Sequence, residues 1–162
     1  MSGFFKSVLV PEFEKRYATV KVVKYAALKK EKKDDFIGNI KSMERDYIYV
    51  TDINTSPCIT ARKKDIRRMY RNIDRERIAV VVREIESWYL AGLTLEKCRK
   101  LKVKYISDTD TITKERFNAM IPRGFSRIDF MAELLKTFSV NTAKRRNTSF
   151  RYFTERFMTG TF

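Results

Sequence analysis

Four oxygen-bearing side chains stand directly after two apolar runs: Asp52 and Asn54 after Tyr47 to Thr51, and Glu84 and Glu86 after Ile78 to Val82. Together Asp52, Asn54 and Glu84 could offer three oxygens to Mg²⁺, which takes an octahedron of oxygen ligands and commonly uses one or two carboxylates plus water. A metal held there activates a water and stabilises a phosphoryl transition state. Asp52, Glu84 and Glu86 are then the candidate catalytic carboxylates. The same residues have plainer uses. Asp52 could cap the next turn, Asn54 could support its loop through an Asx turn, and Glu84 could sit at a helix N-terminus. If a helix begins at Glu84, then Glu84 and Glu86 point to different faces and cannot share one metal.

The elements that must position these groups can be read from patterning. Near-continuous β-branched and aromatic runs read as strands buried on both faces, as in parallel sheets. The residues between the two runs suffice for one crossover helix, which makes the strands parallel neighbours. Polar groups at the carboxyl ends of such strands lie where α/β folds build their sites. Upstream, Phe4 to Tyr17 reads as an amphipathic helix interrupted at Pro11, Val20 to Ala26 as a strand, and Lys32 to Glu44 as a helix with Phe36, Ile40 and Met43 on one face. Ser56-Pro57 reads as a cap and first helical position for a helix through Tyr70. After Gly92 the pattern is helical: Thr94 and Thr113 are candidate caps, and Ser126 to Phe138 and Asn141 to Met158 read as longer helices. The expectation is one α/β domain, a small mostly parallel sheet flanked by helices over residues 1–92, with a helical C-terminal extension over 93–162.

The crossover helix carries Lys64, Arg67, Arg68 and Arg71 at i, i+3, i+4 and i+7, a basic stripe able to track a phosphate backbone. Its opposite side is Ile59, Ile66, Met69 and Ile73. An ordinary solvated helix face would read the same way. Arg83 could grip a phosphate bidentately or pair with an acid at the strand ends. The 162 residues carry a net charge of +15, which favours an anionic partner, DNA or RNA above all. Histidine is absent, which excludes a His general base, Ser-His-Asp and Cys-His catalysis and every His-ligated zinc site. Cys58 and Cys98 have no CxxC spacing, so reduced thiols in a cytoplasmic protein are expected. No stretch is long enough to span a membrane.

Asp52-Ile-Asn54 after a buried strand resembles the Asp-x-Asp dyad of Toprim domains, which bind Mg²⁺ in topoisomerases, primases and nucleases. Arg83-Glu-Ile-Glu-Ser-Trp88 is similar to the R-E-I-E-x-W signature of an uncharacterised Toprim-like family related to overcoming-lysogenization-defect-type nucleases. The tail Ala143-Lys-Arg-Arg-Asn-Thr-Ser-Phe-Arg-Tyr-Phe153 resembles that family's C-terminal helix. The resemblance implies a Toprim-like fold and Mg²⁺-dependent phosphodiester chemistry on nucleic acid. Two departures stand against the chemistry. The family's first strand, ending in Glu-Gly, has no counterpart, and Asn54 replaces the second acid of the dyad. Both departures imply an N-terminally truncated, degenerate relative with weak or lost cleavage. Alternatively, the chain is a non-catalytic module whose open sheet edge pairs with a second copy or with a partner supplying the missing strand.

Overall fold

The computed structural model describes residues 2–159, and the chain divides into two compact units, Val23–Val82 and Met1–Val22 with Arg83–Phe162. The division falls before Arg83 rather than after Gly92, and the N-terminal segment belongs with the C-terminal helices.

In the unit Val23–Val82, β1 (Tyr49–Asp52) and β2 (Ile78–Val81) pair in parallel, with Tyr49 opposite Ile78 and Asp52 opposite Val81. The link between them contains α4 (Ile59–Met69), the expected crossover helix. All of β2 is buried, which is why its sequence is apolar without alternation. Ile37, Tyr49, Ile66, Tyr70, Ile73, Ile78 and Val80 form the core.

The structure departs from several sequence expectations. Val20 to Ala26 is not a strand. Tyr25 meets the sheet by its side chain instead: its ring stacks on Tyr49 at 4.7 Å and its hydroxyl donates to the Val50 carbonyl at 2.8 Å. On α3 (Lys30–Ser42) the buried residue is Ile37, while Phe36 and Met43 are exposed. On α4 it is Ile66, while Ile59 and Met69 lie 38% and 37% exposed, so the apolar stripe is narrower than the spacing suggests. Cys58, not Ser56, caps α4, accepting from the Ala61 amide at 3.4 Å. The helix also ends one residue early. Tyr70 turns extended to bury its ring, and the Asn72 amide is drawn to Asp34 at 2.9 Å.

The other unit is helical. It opens with α1 (Ser2–Phe4), a π-helical turn (Phe5–Leu9) and α2 (Val10–Phe13). It continues with α5 (Glu86–Ala91), α6 (Leu95–Leu101), α7 (Lys114–Ala119), α8 (Arg127–Leu135), α9 (Val140–Arg146) and α10 (Thr148–Phe153), closed by a second π-helical turn (Thr154–Met158). Thr94, Thr113 and Ser126 cap α6, α7 and α8, each hydroxyl accepting from the amide three residues on. The long helix read over Asn141 to Met158 is broken at Asn147, whose backbone is extended. Trp88 is fully buried, packed against Phe4, Phe150 and Phe153 with ring centroids 5.2–5.9 Å away. Gly92 is required by this packing, because a Cβ there would fall 2.2 Å from the Phe138 ring. Among the described residues, no helix is long and apolar enough to cross a membrane.

Candidate nucleic-acid interface

The end of β1 is held from α4. Asp52 closes β1, and its main-chain carbonyl accepts from Arg62 Nε at 3.0 Å, while Arg62 Nη2 reaches the Thr51 hydroxyl at 2.8 Å. Asn54 is left-handed, with φ of 51°, a conformation that asparagine tolerates better than most residues. Its conformation is that of a turn residue.

In the helical unit, the two glutamates are already engaged. Glu84 Oε2 accepts from the amide of Lys114 at the start of α7. Glu86, only 7% exposed, pairs with Arg127 at the start of α8. The carboxylates therefore anchor two later helices onto the start of α5. This arrangement fits helix capping and ion pairing better than a Mg²⁺ ligand set, and the described residues gather no group of three or more acidic or cysteine side chains. Arg83 takes a left-handed φ of 64°.

The stretches 83–88 and 143–153 meet in the helical unit, where Ser87 and Trp88 contact Asn147 and Ser149. Asn147 Oδ1 accepts from the Phe150 amide at 2.9 Å, capping α10, and from the Ser149 hydroxyl at 2.8 Å. Its Nδ2 donates to Thr109 at 3.1 Å and Ser87 at 3.3 Å. Trp88 Nε1 donates to Ser149 Oγ at 2.8 Å. Arg146, 6% exposed, donates to the carbonyls of Ala91, Leu93 and Ile106, and its guanidinium lies 4.4 Å from the Tyr105 ring centroid. Burial pulls its pKa below the usual arginine value. Asp108 and Asp110 serve turns and caps: Asp108 accepts from the Asp110 amide, and Asp110 from the Thr148 amide, both at 2.8 Å. These contacts hold the fold.

The exposed chemistry is on α4. Of its five cations, Arg62 is spent on the end of β1 and Lys63 Nζ reaches the Arg75 carbonyl at 3.5 Å. Lys64, Arg67 and Arg68 are exposed and line an open concavity of about 440 Å³, together with Thr60 from the first turn of α4 and Arg75 from the 3₁₀ turn Arg75–Arg77. Among the described residues, the ion pair these cations make is Arg68 to Asp65, at 3.6 Å between well-exposed groups. Such a pair contributes little and competes weakly with an anion.

Arg71 lies beyond the end of α4 and does not line the concavity. Sequence reasoning missed Thr60 and Arg75. Thr60 sits one turn before Lys64, a visible signal on the same helix. Arg75 comes from a separate turn, and no periodicity links it to α4. Compared with known proteins, the chain matches no protein-family model, no curated protein and no solved structure.

Proposed function

We propose that the protein associates with nucleic acid, holding its phosphate backbone on the basic face of α4, and that metal-dependent phosphodiester cleavage is lost. The observation that carries the reading is the concavity where Lys64, Arg67, Arg68 and Arg75 converge, with the loose Arg68–Asp65 pair as their ion pair among the described residues. Cations gathered on one concave face concentrate positive potential and release counterions when phosphates replace them. The net charge of +15 adds long-range attraction. The resemblance to a Toprim-like nuclease family points to the same class of partner. Loss of cleavage is supported by Asn54 at the second dyad position and by the engagement of Glu84 and Glu86 elsewhere. A cytoplasmic setting belongs to the same proposal.

A second reading rests on the two-stranded sheet. Two strands are few for an independent sheet, and an added strand would complete it. The occupant would be a second copy or a partner protein.

Fluorescent single- and double-stranded DNA and RNA titrated into the protein at two salt concentrations, with and without Mg²⁺, test the proposal. The same samples are then run on a gel. Salt-sensitive binding without cleavage is the expected result. Mg²⁺-dependent cleavage abolished by Asp52→Ala would restore the metal site. Neither binding nor cleavage would overturn the nucleic-acid reading and leave the sheet edge as the surface to pursue.

A further inference from the structure

The concavity on α4 is lined from two segments, and only one of them is α4. The first carries Thr60, Lys64, Arg67 and Arg68; the second is Arg75, at the start of the turn leading into β2. The backbone of Arg75 is held in place from two directions. Its carbonyl accepts from Lys63 Nζ at 3.5 Å and from the Ile78 amide that opens β2. The guanidinium is thus exposed on a fixed base beside α4.

We propose that Thr60, Lys64, Arg67, Arg68 and Arg75 form a two-walled cradle for two neighbouring phosphodiester phosphates of one nucleic-acid strand, with Arg75 rather than Arg71 as the fourth cation. This rests on the nucleic-acid reading above. On α4, Lys64 and the Arg67-Arg68 pair lie one turn apart, about 5.4 Å along the axis. Phosphates of one strand recur every ~3.4 Å of duplex axis and farther apart along an extended strand. A step of about 5.4 Å exceeds the axial rise between neighbouring phosphates, so the two rungs can each reach a different phosphate of one strand. Arg75 closes the opposite side, where a planar guanidinium can take two oxygens of one phosphate. The Thr60 hydroxyl adds an uncharged donor at the end where α4's first amides face outward. Arg71 is excluded because the helix has ended before it. The strand can be free or belong to a duplex, since the contacts are to phosphate alone.

The test is fluorescence anisotropy of a short labelled oligonucleotide, single-stranded and as duplex, over a salt series. The proteins compared are wild type, Arg75→Ala, Arg75→Lys and Arg71→Ala. Arg75→Ala weakens binding several-fold and lowers the slope of log affinity against log salt by about 0.7 on single strands or 0.9 on duplex. Arg75→Lys keeps the slope, and Arg71→Ala changes neither quantity. If wild type binds but Arg75→Ala keeps its full slope, or Arg71→Ala loses slope instead, the cradle is overturned and the nucleic-acid reading stands. If wild type shows no salt-sensitive binding, the nucleic-acid reading itself fails.

Discussion

Arg67-Arg68 on α4 and Arg145-Arg146 at the end of α9 are the same dipeptide put to opposite uses. On α4 both guanidiniums stand in solvent on the wall of a concavity. At the end of α9, Arg146 is buried and its donors are spent on the carbonyls of Ala91, Leu93 and Ile106. The difference is decided by backbone. α4 runs as an uninterrupted helix with one deeply buried residue, Ile66, so most of its surface faces water. α9 stops at Asn147, and carbonyls from segments without helical partners need a donor there. A cation that satisfies stranded carbonyls is structural, whereas a cation on an exposed concave wall is available to a ligand. Net charge adds the two kinds together and cannot separate them.

The sharpest way to break this comparison is Arg146→Ala. Each stranded buried carbonyl costs roughly 1–3 kcal/mol, so this variant is expected to lose several kcal/mol of stability. Whatever fraction remains folded keeps its oligonucleotide affinity. Chemical denaturation and anisotropy on the same sample check both. A stable Arg146→Ala protein with weakened binding would mean that the buried arginine serves a ligand after all.

Asn147→Ala is next. It removes the cap of α10 and the acceptor of the Ser149 hydroxyl, and takes a donor from Thr109 and Ser87, for a loss of about 2 kcal/mol. Trp88 fluorescence follows the change, because Ser149 bridges Asn147 and the indole. An unchanged unfolding midpoint would show the polar cluster to be dispensable.

A smaller effect separates structural from available polar groups inside the α4 unit. The Tyr47 hydroxyl accepts from the Asp74 amide at 2.8 Å and donates to its carboxylate at 3.0 Å, and burial foremost pushes its pKa up to about 12. The neutral phenol is thus favoured by folding. Its contribution is complete below the ordinary value of 10.0 and is lost as pH rises from there toward about 12. Stability measured across that window falls for wild type and falls less for Tyr47→Phe. Equal slopes would remove Tyr47 from the account.

What could be read ahead of the structure was whatever lies in one continuous pattern. β2 announces itself because a strand buried on both faces needs apolar residues throughout, whereas β1, read the same way, is buried only at alternate residues, Tyr49 and Thr51. Thr94 and Thr113 are recognisable caps because a hydroxyl before a helical run has few better uses. Cys58 escaped because a thiol is seldom read as a cap. Asn147 reads from sequence as either a site or a capping residue, but Phe150, Phe153 and Phe157 keep helical spacing beyond it, and the contacts to Ser87 and Thr109 that fix it as the cap of α10 come from far away in sequence. Val20 to Ala26 has strand composition, but Tyr25 satisfies the Val50 carbonyl with a hydroxyl in place of a backbone ladder. The candidate site divides in the same way: Lys64, Arg67 and Arg68 share a helix and could be found together, and Arg75 could not.

The most direct test of the central claim sets two equal charge reversals side by side. One is Lys64→Glu with Arg67→Glu, on the concavity; the other is Lys30→Glu with Lys32→Glu, exposed on α3. Both lower the net charge by the same amount. Oligonucleotide anisotropy at a single moderate salt concentration reads the result. The account predicts that the α4 pair loses about tenfold or more in affinity with an unchanged unfolding midpoint, while the α3 pair stays within a few-fold of wild type. Equal losses from both pairs would mean that bulk charge, and not the concavity on α4, holds the nucleic acid.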